Sequence, residues 1–474
     1  MSSKIALRAV TAAAGLVLCA CAVGPNFVSP TASALKVPGA YQTATSTTTV
    51  DLAEWWARFD DPVLTDLVTT ALAGNNDIDA ARARLRVARA SLRGARGALL
   101  PTLGATTGAS RSDVLRGPGG EQSGYQAGLD AAWEADVFGG LRRSVEASRA
   151  TAAGAQAGLA DVRRAIAAEL ALDYIDLRAT QNRLAITRAN LQSQDETLQI
   201  VGWRAQAGLV GALDLEQARG LRAQTAAAVP QLETTLATDA NRIAVLIGEA
   251  PGAVTAKLAP MRPIPLAPDG VEAGLPADLL DRRPDVLAAK ASLAAETAKI
   301  GVARAQLYPD LRLSGSMTTS ALSFASLGSS VLGNLAANIT APIFQGGQIR
   351  ARIAGQTASA DAALAAYRQT VLTALEDVEN ALISLDRSKA RETQLAEAQD
   401  AAQNAALYAQ NRYRAGLIDF QALLETQRTL LNSQDARTVA RAARTSAAVQ
   451  LYKALGGGWS IPTAARANSS TTRP

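Results

Sequence analysis

A seven-residue repeat of apolar side chains is the most regular pattern in the chain, and it predicts long helices. Leucine recurs every seventh residue within a stretch that contains no proline, from position 141 to about 206. This spacing is typical of the apolar seam of a coiled coil. At 1.5 Å per residue the helix would extend roughly 100 Å, which is too long for a compact globule. The seam comprises Leu170, Leu177, Leu184, Leu191 and Leu198.

A second series of helices follows the same order. A similar apolar repeat predicts a long helix over 348–415, and each long helix leads through an Ala-Gly-Leu turn into a shorter return helix, at 212–247 and 419–455. Two further helices, at 77–100 and 284–308, each end before a proline, as expected for a helix stop. The second seam comprises Val371, Leu375, Val378, Leu382 and Leu385.

Four segments alternate with a period of two residues, which predicts strands. In 124–138 the odd positions are apolar, whereas even positions include Asp130 and Glu134. Such alternation is typical of a strand with one apolar and one polar face. The four segments form two hairpins, and each strand has about the length that spans a membrane. The other three predicted strands cover 102–112, 310–320 and 331–343.

The helices and strands belong to an internal duplication. Gly208 and Gly416 occupy equivalent turns and lie 208 residues apart, and Pro101 and Pro309 have the same separation. A period this long exceeds the 20–50 residues of a solenoid repeat and indicates a duplicated domain that packs against its own copy. The predicted parts are a first repeat at 55–255, a proline-rich connector at 256–274, a second repeat at 275–460, an extended N-terminal linker at 21–54 and a flexible tail at 461–474.

Four strands per chain set a requirement on assembly. Membrane barrels need at least eight strands, and an open sheet edge in lipid leaves backbone groups without hydrogen bonds. If the strands lie in a membrane, the chain must therefore oligomerise, as a dimer with eight strands or a trimer with twelve. A soluble, half-buried sheet is the alternative, but the sequence has no further strands to cover its apolar face.

Composition argues against several functional classes. The chain contains no histidine and only two cysteines, Cys19 and Cys21, which leaves no disulfide framework or Cys/His zinc site. The commonest general base and metal ligand is missing as well. The net charge of +5 is spread along the chain without a basic patch, so no nucleic-acid partner is expected. We expect neither catalytic residues nor a bound metal or cofactor.

The N-terminus has the pattern of a bacterial lipoprotein signal. Lys4 and Arg8 precede an apolar run that is too short to span a bilayer. The segment LCAC resembles a lipobox, which implies a signal peptide over 1–20 and a lipid on Cys21, comprising N-palmitoyl and S-diacylglycerol groups. An ordinary secretory signal is the alternative, with Cys19 a weaker acceptor. Because Ala22 is not the aspartate that retains such lipoproteins at the inner membrane, the resemblance directs the chain to the outer membrane.

The order of these motifs resembles the TolC-like outer-membrane efflux family, in the lipoprotein branch that serves RND pumps. The shared features are the lipobox followed by VGPNF, the LLP and LYP motifs, the two glycine pairs after Phe138 and Phe344, and the paired Ala-Gly-Leu turns. The resemblance implies a mixed α/β membrane protein that assembles as a homotrimer. Its twelve-stranded outer-membrane β-barrel, with four strands from each protomer, would continue as a long periplasmic α-helical barrel.

The resemblance also implies a function and partners. The chain would be the passive exit duct of a tripartite efflux pump, fed by a periplasmic adaptor and an inner-membrane RND transporter, and would contact outer-membrane lipid. Two alternatives stay open: a duct for type I protein secretion, and a structural envelope lipoprotein that does not conduct. The transported compounds, whether drugs or metals, cannot be identified from the sequence.

Residue roles follow from the same resemblance. The two turns become the periplasmic tips of helix hairpins, where exposed apolar residues would dock the adaptor. A periplasmic gate would lie close to the tips, although Gln421 stands where some members have a leucine constriction. The expected docking residues are Gly208, Leu209, Val210, Gly416, Leu417 and Ile418. The expected gate residues are Asp214, Tyr413, Gln421 and Glu425.

Overall fold

The computed structural model describes residues 22–42, 52–113, 120–266, 268 and 273–459. The predicted signal peptide, Cys21 and the predicted tail at 461–474 lie outside these residues. The helices are α1 (Pro62–Gly74), α2 (Asn76–Gly97), α3 (Gly140–Gln206), α4 (Ala212–Leu246), α5 (Thr255–Leu258), α6 (Leu279–Arg282), α7 (Pro284–Ala305), α8 (Gln348–Arg414) and α9 (Phe420–Ala454). The strands are β1 (Thr102–Ser112), β2 (Gln122–Ala135), β3 (Asp310–Ala321) and β4 (Leu332–Thr340).

The duplication is visible in the lengths of the helices. Helices α2 and α7 have 22 residues each, α3 and α8 have 67, and α4 and α9 have 35. Each set of three helices is interrupted at the same place by one pair of strands. The two halves of the chain therefore have the same order and lengths of helices, as the sequence repeat predicts.

The four strands form a single antiparallel sheet in the order β1–β2–β3–β4. Strand β2 ends at Ala135, earlier than its alternation suggests, because the Asp136 carboxylate accepts the backbone N–H groups of Leu141 and Arg142 at 3.0 and 2.8 Å. Asp136 is thus bound to the first turn of α3 and does not continue the strand. Strand β4 stops at Thr340, shortly before Pro342, which has no N–H to donate to a ladder.

The described chain divides into two compact units that do not coincide with the sequence repeats. One contains the described residues up to Pro30 together with 83–156 and 288–369, and it carries the sheet. The other contains the remaining described residues, including α1, the turns at Gly208 and Gly416, and α9. Each repeat thus contributes to both units, which is expected where two copies of a domain pack along one another.

The core of the second unit contains the predicted apolar seams. Along α3, Leu170 and Leu177 are fully buried, and Val371 and Val378 of α8 are buried in the same unit. The largest buried side chain is Trp55, which stacks on Tyr452 of α9 with ring centroids 5.5 Å apart. The seven-residue spacing therefore marks the packed side of both long helices.

Two polar side chains join the return helices to the short helices. Asn75 accepts the backbone N–H groups of Asp77 and Ile78 at the start of α2 and donates to the carbonyl of Leu246, in the last turn of α4, at 2.8 Å. Arg283 precedes α7 and donates to the carbonyl of Ala454, in the last turn of α9, at 3.1 Å. Each return helix therefore ends against the beginning of a short helix.

Candidate functional site

The sheet has one apolar and one polar face along its whole width. In every ladder, odd-numbered residues pair with odd-numbered residues, for example Leu129 with Met317 and Trp133 with Leu313. Because neighbouring side chains of a strand point to opposite faces, all odd positions share one face. The apolar side chains of this face are exposed, and they include Leu103, Leu129, Trp133, Met317, Leu335 and Ile339.

Polar and charged groups occupy the even-numbered face. Glu134 pairs with Arg312 in the ladder, and their charged groups lie 3.7 Å apart. Arg312 also lies 3.2 Å from Asp310, while Asp130 stands opposite Gly104 and Ser316. A face that carries charges on adjacent strands suits water, whereas the opposite face suits lipid.

The two edges of the sheet are open in the single chain. Strands β1 and β4 each pair on one side only among the residues that the structure describes. In hydrocarbon, each unpaired backbone group would cost several kcal/mol, of the order that excludes open edges from membranes. The sheet can therefore occupy a membrane only where other strands cover both edges.

The residues that follow Cys21 are held at the junction of β2 and α3. Val23 donates its backbone N–H to the carbonyl of Phe138 at 3.1 Å. Ala22 lies so close to Gly139 that a Cβ added there would be 2.6 Å from the Ala22 Cα atom. The N-terminal segment of the described chain thus begins where a strand passes into a helix.

Arg143 holds this N-terminal segment in place. Its guanidinium donates to the carbonyls of Val23 and Gly24 at 3.1 and 3.2 Å and to the Oδ1 atom of Asn26 at 2.7 Å. Gly24 adopts a φ of 100° and lies directly against Gly301 of α7. The VGPNF motif is therefore a docking segment, in which glycine permits the close approach. The sequence contained these residues, but only the contacts identify their partners.

Both predicted hairpin tips have the same backbone geometry. We call the turn around Gly208 the first tip and the turn around Gly416 the second tip. The glycines have φ values of 71° and 72°. The following residues, Leu209 and Leu417, each donate an N–H to a carbonyl five residues earlier, at 2.8 Å. This is the Schellman pattern that ends a helix with a left-handed residue, as the sequence predicts.

An apolar cluster lies beneath the two tips. Its buried members are Val201, Ala218, Leu221, Ala409, Tyr413, Phe420, Leu423 and Leu424. Val210 and Ile418 pack against the cluster, so the expectation that both are exposed on the tips is wrong. Packing against this cluster removes their apolar surface from water. Leu209 and Leu417 remain exposed, at 73% and 67%.

The expected gate residues separate into a buried and an exposed group. Tyr413 is 3% exposed, lies 5.9 Å from the ring of Phe420, and is covered by Arg204 at 4.6 Å. Its hydroxyl has no hydrogen-bond partner among the described residues, so no hydrogen bond joins it to Asp214. Arg204 also donates to the Tyr413 carbonyl at 3.2 Å. Tyr413 thus acts here as a packed side chain.

Gln421 and Glu425 lie on the side of α9 that is exposed in the single chain. Both are exposed and four residues apart, so they share one face of the helix. Phe420 lies on the other side and is 3% exposed. Phe420 is therefore packed inside the chain and does not take the place of the missing leucine constriction. The structure brings Gln421 and Glu425 together, and Asp214 lies in the first turn of α4.

The described residues contain neither a cluster suited to a metal ion nor a helix suited to cross a membrane. No group of three or more cysteine, aspartate or glutamate side chains is arranged to hold a metal ion in the part that the structure describes. Within the same part, no helix combines the length and the apolar content needed to cross a membrane.

Comparison with known proteins identifies the family. The profile of the outer membrane efflux protein family matches residues 67–249 and 275–457, so each half of the chain matches separately. The chain belongs to the outer membrane efflux protein family. The duplication inferred from the sequence is therefore the duplication of this family's domain.

Individual members of the family resemble the chain over almost its whole length. The pyoverdine export outer membrane protein OpmQ of Pseudomonas aeruginosa is 36% identical, over 94% of this chain and 95% of that protein. Nodulation protein T of Rhizobium leguminosarum bv. trifolii is 31% identical, over 94% and 96%. The solved outer-membrane channel OprN is 36% identical, with a TM-score of 0.85 over 93% of this chain and all of the other.

These findings confirm the predicted fold class, location and general function. The protein is a duplicated, mostly helical chain with one four-stranded sheet, and it belongs to the outer membrane, with a large helical part in the periplasm. It is an outer-membrane efflux channel of the kind found in tripartite pumps. The family needs no cofactor.

Proposed function

We propose that three copies of the chain close the barrel and conduct small molecules passively from the periplasm to the exterior. The observation that carries this proposal is the strict parity of the sheet, with the large apolar side chains Leu129, Trp133 and Met317 on odd positions and Asp130, Glu134 and Arg312 on even positions. In a closed barrel the odd face would meet lipid and the even face would line a wet lumen. No chemical step is assigned to the chain.

The compounds that pass through the channel are proposed to be small molecules. Relatives at 31–36% identity carry names that specify pyoverdine export, antibiotic efflux and toluene efflux. These names favour small-molecule export over type I protein secretion for this chain. Delivery would require an inner-membrane transporter and a periplasmic adaptor, and selection among compounds would lie with the transporter.

Cys21 is proposed to carry the lipid anchor. The residue that follows it, Ala22, lies at the junction of β2 and α3. This junction is where the membrane-spanning strands would end, so a lipid on Cys21 could enter the adjacent leaflet without stretching the chain. The contacts of Arg143 with Val23 and Gly24 support a fixed position for the anchored end.

The tips are proposed to form the periplasmic end that docks the adaptor. Leu209 and Leu417 are the exposed apolar side chains of the two tips, and Gly208 and Gly416 set their geometry. Val210 and Ile418 would support the tips from behind. The first tip also exposes Leu213, so the two tips would offer unequal apolar surfaces to a partner.

The gate is proposed to depend on Gln421 and Glu425, with Asp214 nearby on the first tip. Three copies of Glu425 around one axis would concentrate negative charge and attract cations. Because Tyr413 is packed against Phe420 and Arg204, we propose that it supports α9 from inside the chain and does not itself line the gate. The basic Arg428 lies one turn beyond Glu425 and would moderate the acidic ring.

Disulfide cross-linking across the open edges tests the closed trimer. Thr107 at the centre of β1 and Leu335 of β4 are both odd-numbered, so they would lie on the same face of a shared barrel. We expect that Thr107→Cys combined with Leu335→Cys, or with Ala337→Cys, gives covalent oligomers up to trimers after oxidation. The only native cysteines are Cys19 and Cys21. Removal of the signal peptide and acylation of Cys21 would leave the introduced cysteines as the only free thiols.

The matched control is Thr107→Cys with Asn334→Cys, because Asn334 is even-numbered and would face the lumen. This pair should not cross-link. Monomers from all pairs, or equal cross-linking of the odd and even pairs, would contradict the shared barrel.

A further inference from the structure

The expectation that the chain carries no basic patch is wrong, because helix α2 has an exposed stripe of arginines. None of the roles above uses this stripe. The stripe consists of Arg86, Arg89, Arg93 and Arg96, spaced by three or four residues and thus aligned on one face. All four are exposed, and none has an ion pair or hydrogen bond among the described residues. The neighbouring Arg82 is paired with Asp79 and is not part of the stripe.

The fold itself does not require this charge. By the repeat, the four stripe positions correspond to Ala294, Thr297, Gly301 and Arg304 of α7. Helix α7 has the same length as α2 but carries only one basic residue at these places. The arginine stripe is therefore a feature of the first copy alone, which favours a role in binding over a role in folding.

The second copy of the repeat also indicates whether the stripe faces the outside or the lumen of the channel. Gly301 of α7, the counterpart of Arg93, lies against Gly24 in the N-terminal segment. If Cys21 carries a lipid, that segment runs on the outer surface of the channel, since its lipid has to reach the membrane. The corresponding face of α2 is then also an outer face, and this step rests on the proposed lipid anchor.

The stripe is close to the membrane along the chain. Arg96 and Arg93 precede Pro101 by five and eight residues, or by about 8 and 12 Å at the rise of an α-helix. Strand β1 begins at the next residue, and its Leu103 is an exposed member of the apolar face. Arg93 and Arg96 would therefore lie at the depth of the lipid headgroups, with Arg86 and Arg89 further from the bilayer.

We propose that the arginine stripe binds the phosphate groups of anionic phospholipids in the periplasmic leaflet of the outer membrane. The guanidinium group binds phosphate through two parallel hydrogen bonds, and each basic residue near a charged lipid surface strengthens binding about fivefold. Because β1 is an edge strand, the stripe follows the boundary between protomers. Bound lipid would thus lie beside each interface of the trimer.

The binding of a fluorescent phosphatidylglycerol to the purified full-length protein in detergent tests the proposal, with labelled phosphatidylcholine as the neutral reference. The wild type should prefer phosphatidylglycerol. Arg93→Gln with Arg96→Gln should weaken its binding about 30-fold, and Arg86→Gln with Arg89→Gln should weaken it less. Arg93→Lys with Arg96→Lys should retain most of the preference, because the charge remains.

The control replaces two exposed arginines of α8, Arg368 and Arg391, by glutamine. They lie about 30 Å or more along the helix from its first residue, so their loss should leave lipid binding unchanged. An equal effect of this control, or no preference for phosphatidylglycerol in the wild type, would overturn the proposal.

The ion selectivity of the channel separates this proposal from a stripe that lines the lumen. In a lumen, Arg93→Gln with Arg96→Gln would shift the permeability ratio of chloride to potassium and leave lipid binding unchanged, which would refute the lipid site. Unchanged selectivity with weakened lipid binding supports it. A protein that keeps the lipid preference but does not conduct would contradict the proposed channel instead.

Discussion

At the residue scale, some glycines are needed for a left-handed backbone alone, and others also because a Cβ atom would clash with a neighbouring backbone. Gly208 and Gly416 have a positive φ, but the space around each is open. Gly248 has a φ of 84°, and a Cβ there would lie 2.3 Å from the carbonyl oxygen of Gly74. A substitution at Gly248 therefore adds a backbone clash to the conformational cost.

Alanine at these positions should separate the two effects. Gly208→Ala and Gly416→Ala should each cost about 1 kcal/mol, the price of a left-handed alanine. Gly248→Ala should lower the apparent melting temperature distinctly more. Gly416→Asn is the control, because asparagine tolerates this conformation. Equal losses for Gly248→Ala and Gly416→Ala would contradict the close contact.

Asp173 of α3 is partly buried and lies near other carboxylates. Burial raises its pKa to about 6, and the charge of Glu169 adds to this effect, with smaller contributions from Asp176 and Asp239, while Arg242 of α4 opposes it. One of its carboxylate oxygens has no hydrogen-bond partner in the described part of the chain. The folded protein thus binds the Asp173 proton more tightly than the unfolded chain does.

The stability contributed by Asp173 should accordingly fall as the pH rises from about 4 to about 6. Above pH 7, Asp173→Asn should stabilise the fold by about 1 to 2 kcal/mol, after allowance for partial exposure. The apparent melting temperature should rise accordingly. The gain should shrink as the pH is lowered through 6. Asp400→Asn, at an exposed position, should show no such trend. A gain of Asp173→Asn that is independent of pH would contradict the raised pKa.

At the element scale, the sequence predicted which segments are helix or strand because their periods differ. The seven-residue spacing marks α3 and α8, and the two-residue spacing marks the strands. The ends were less predictable, as at β2, where the Asp136 carboxylate binds the first turn of α3. The contacts of Arg143 with the N-terminal segment were missed, since they join residues more than a hundred positions apart.

The joints at Asn75 and Arg283 are also contacts between distant elements, and they lead to an element-scale prediction. Asn75→Ala should destabilise by about 1 to 2 kcal/mol through loss of the helix cap. Asn75→Asp keeps the acceptor for the first turn of α2 but turns a carboxylate oxygen towards the Leu246 carbonyl at a buried site, so it should cost at least as much. Thermal unfolding of the purified variants measures both.

Arg283 should be the more sensitive joint. It is 2% exposed, and its guanidinium lies 2.6 Å from Asp285 and 2.9 Å from Asp377. Arg283→Ala should cost about 3 kcal/mol, because the buried carbonyls of Ala374 and Ala454 and the partly buried carboxylate of Asp285 lose their donor. Arg283→Lys should recover part of the loss. A neutral Arg283→Ala would show that this joint does not stabilise the fold.

At the scale of the whole molecule, the sequence predicted oligomerisation because a single chain has too few strands to close a membrane barrel. Four strands with an apolar face leave two open edges, and lipid does not tolerate them. The family match confirms the fold class that this argument favoured. The gate could not be derived in the same way, because Tyr413 is packed inside its own chain and only Gln421 and Glu425 stay exposed.

The most direct test of the channel is single-channel recording from the purified protein in planar lipid bilayers, after its mass in detergent has been measured. We expect a trimer that gives discrete steps of ion conductance, with a preference for cations that Glu425→Gln reduces and that Glu397→Gln, at an exposed position on α8, leaves unchanged. A monomeric protein that inserts into bilayers without conducting ions would contradict the account.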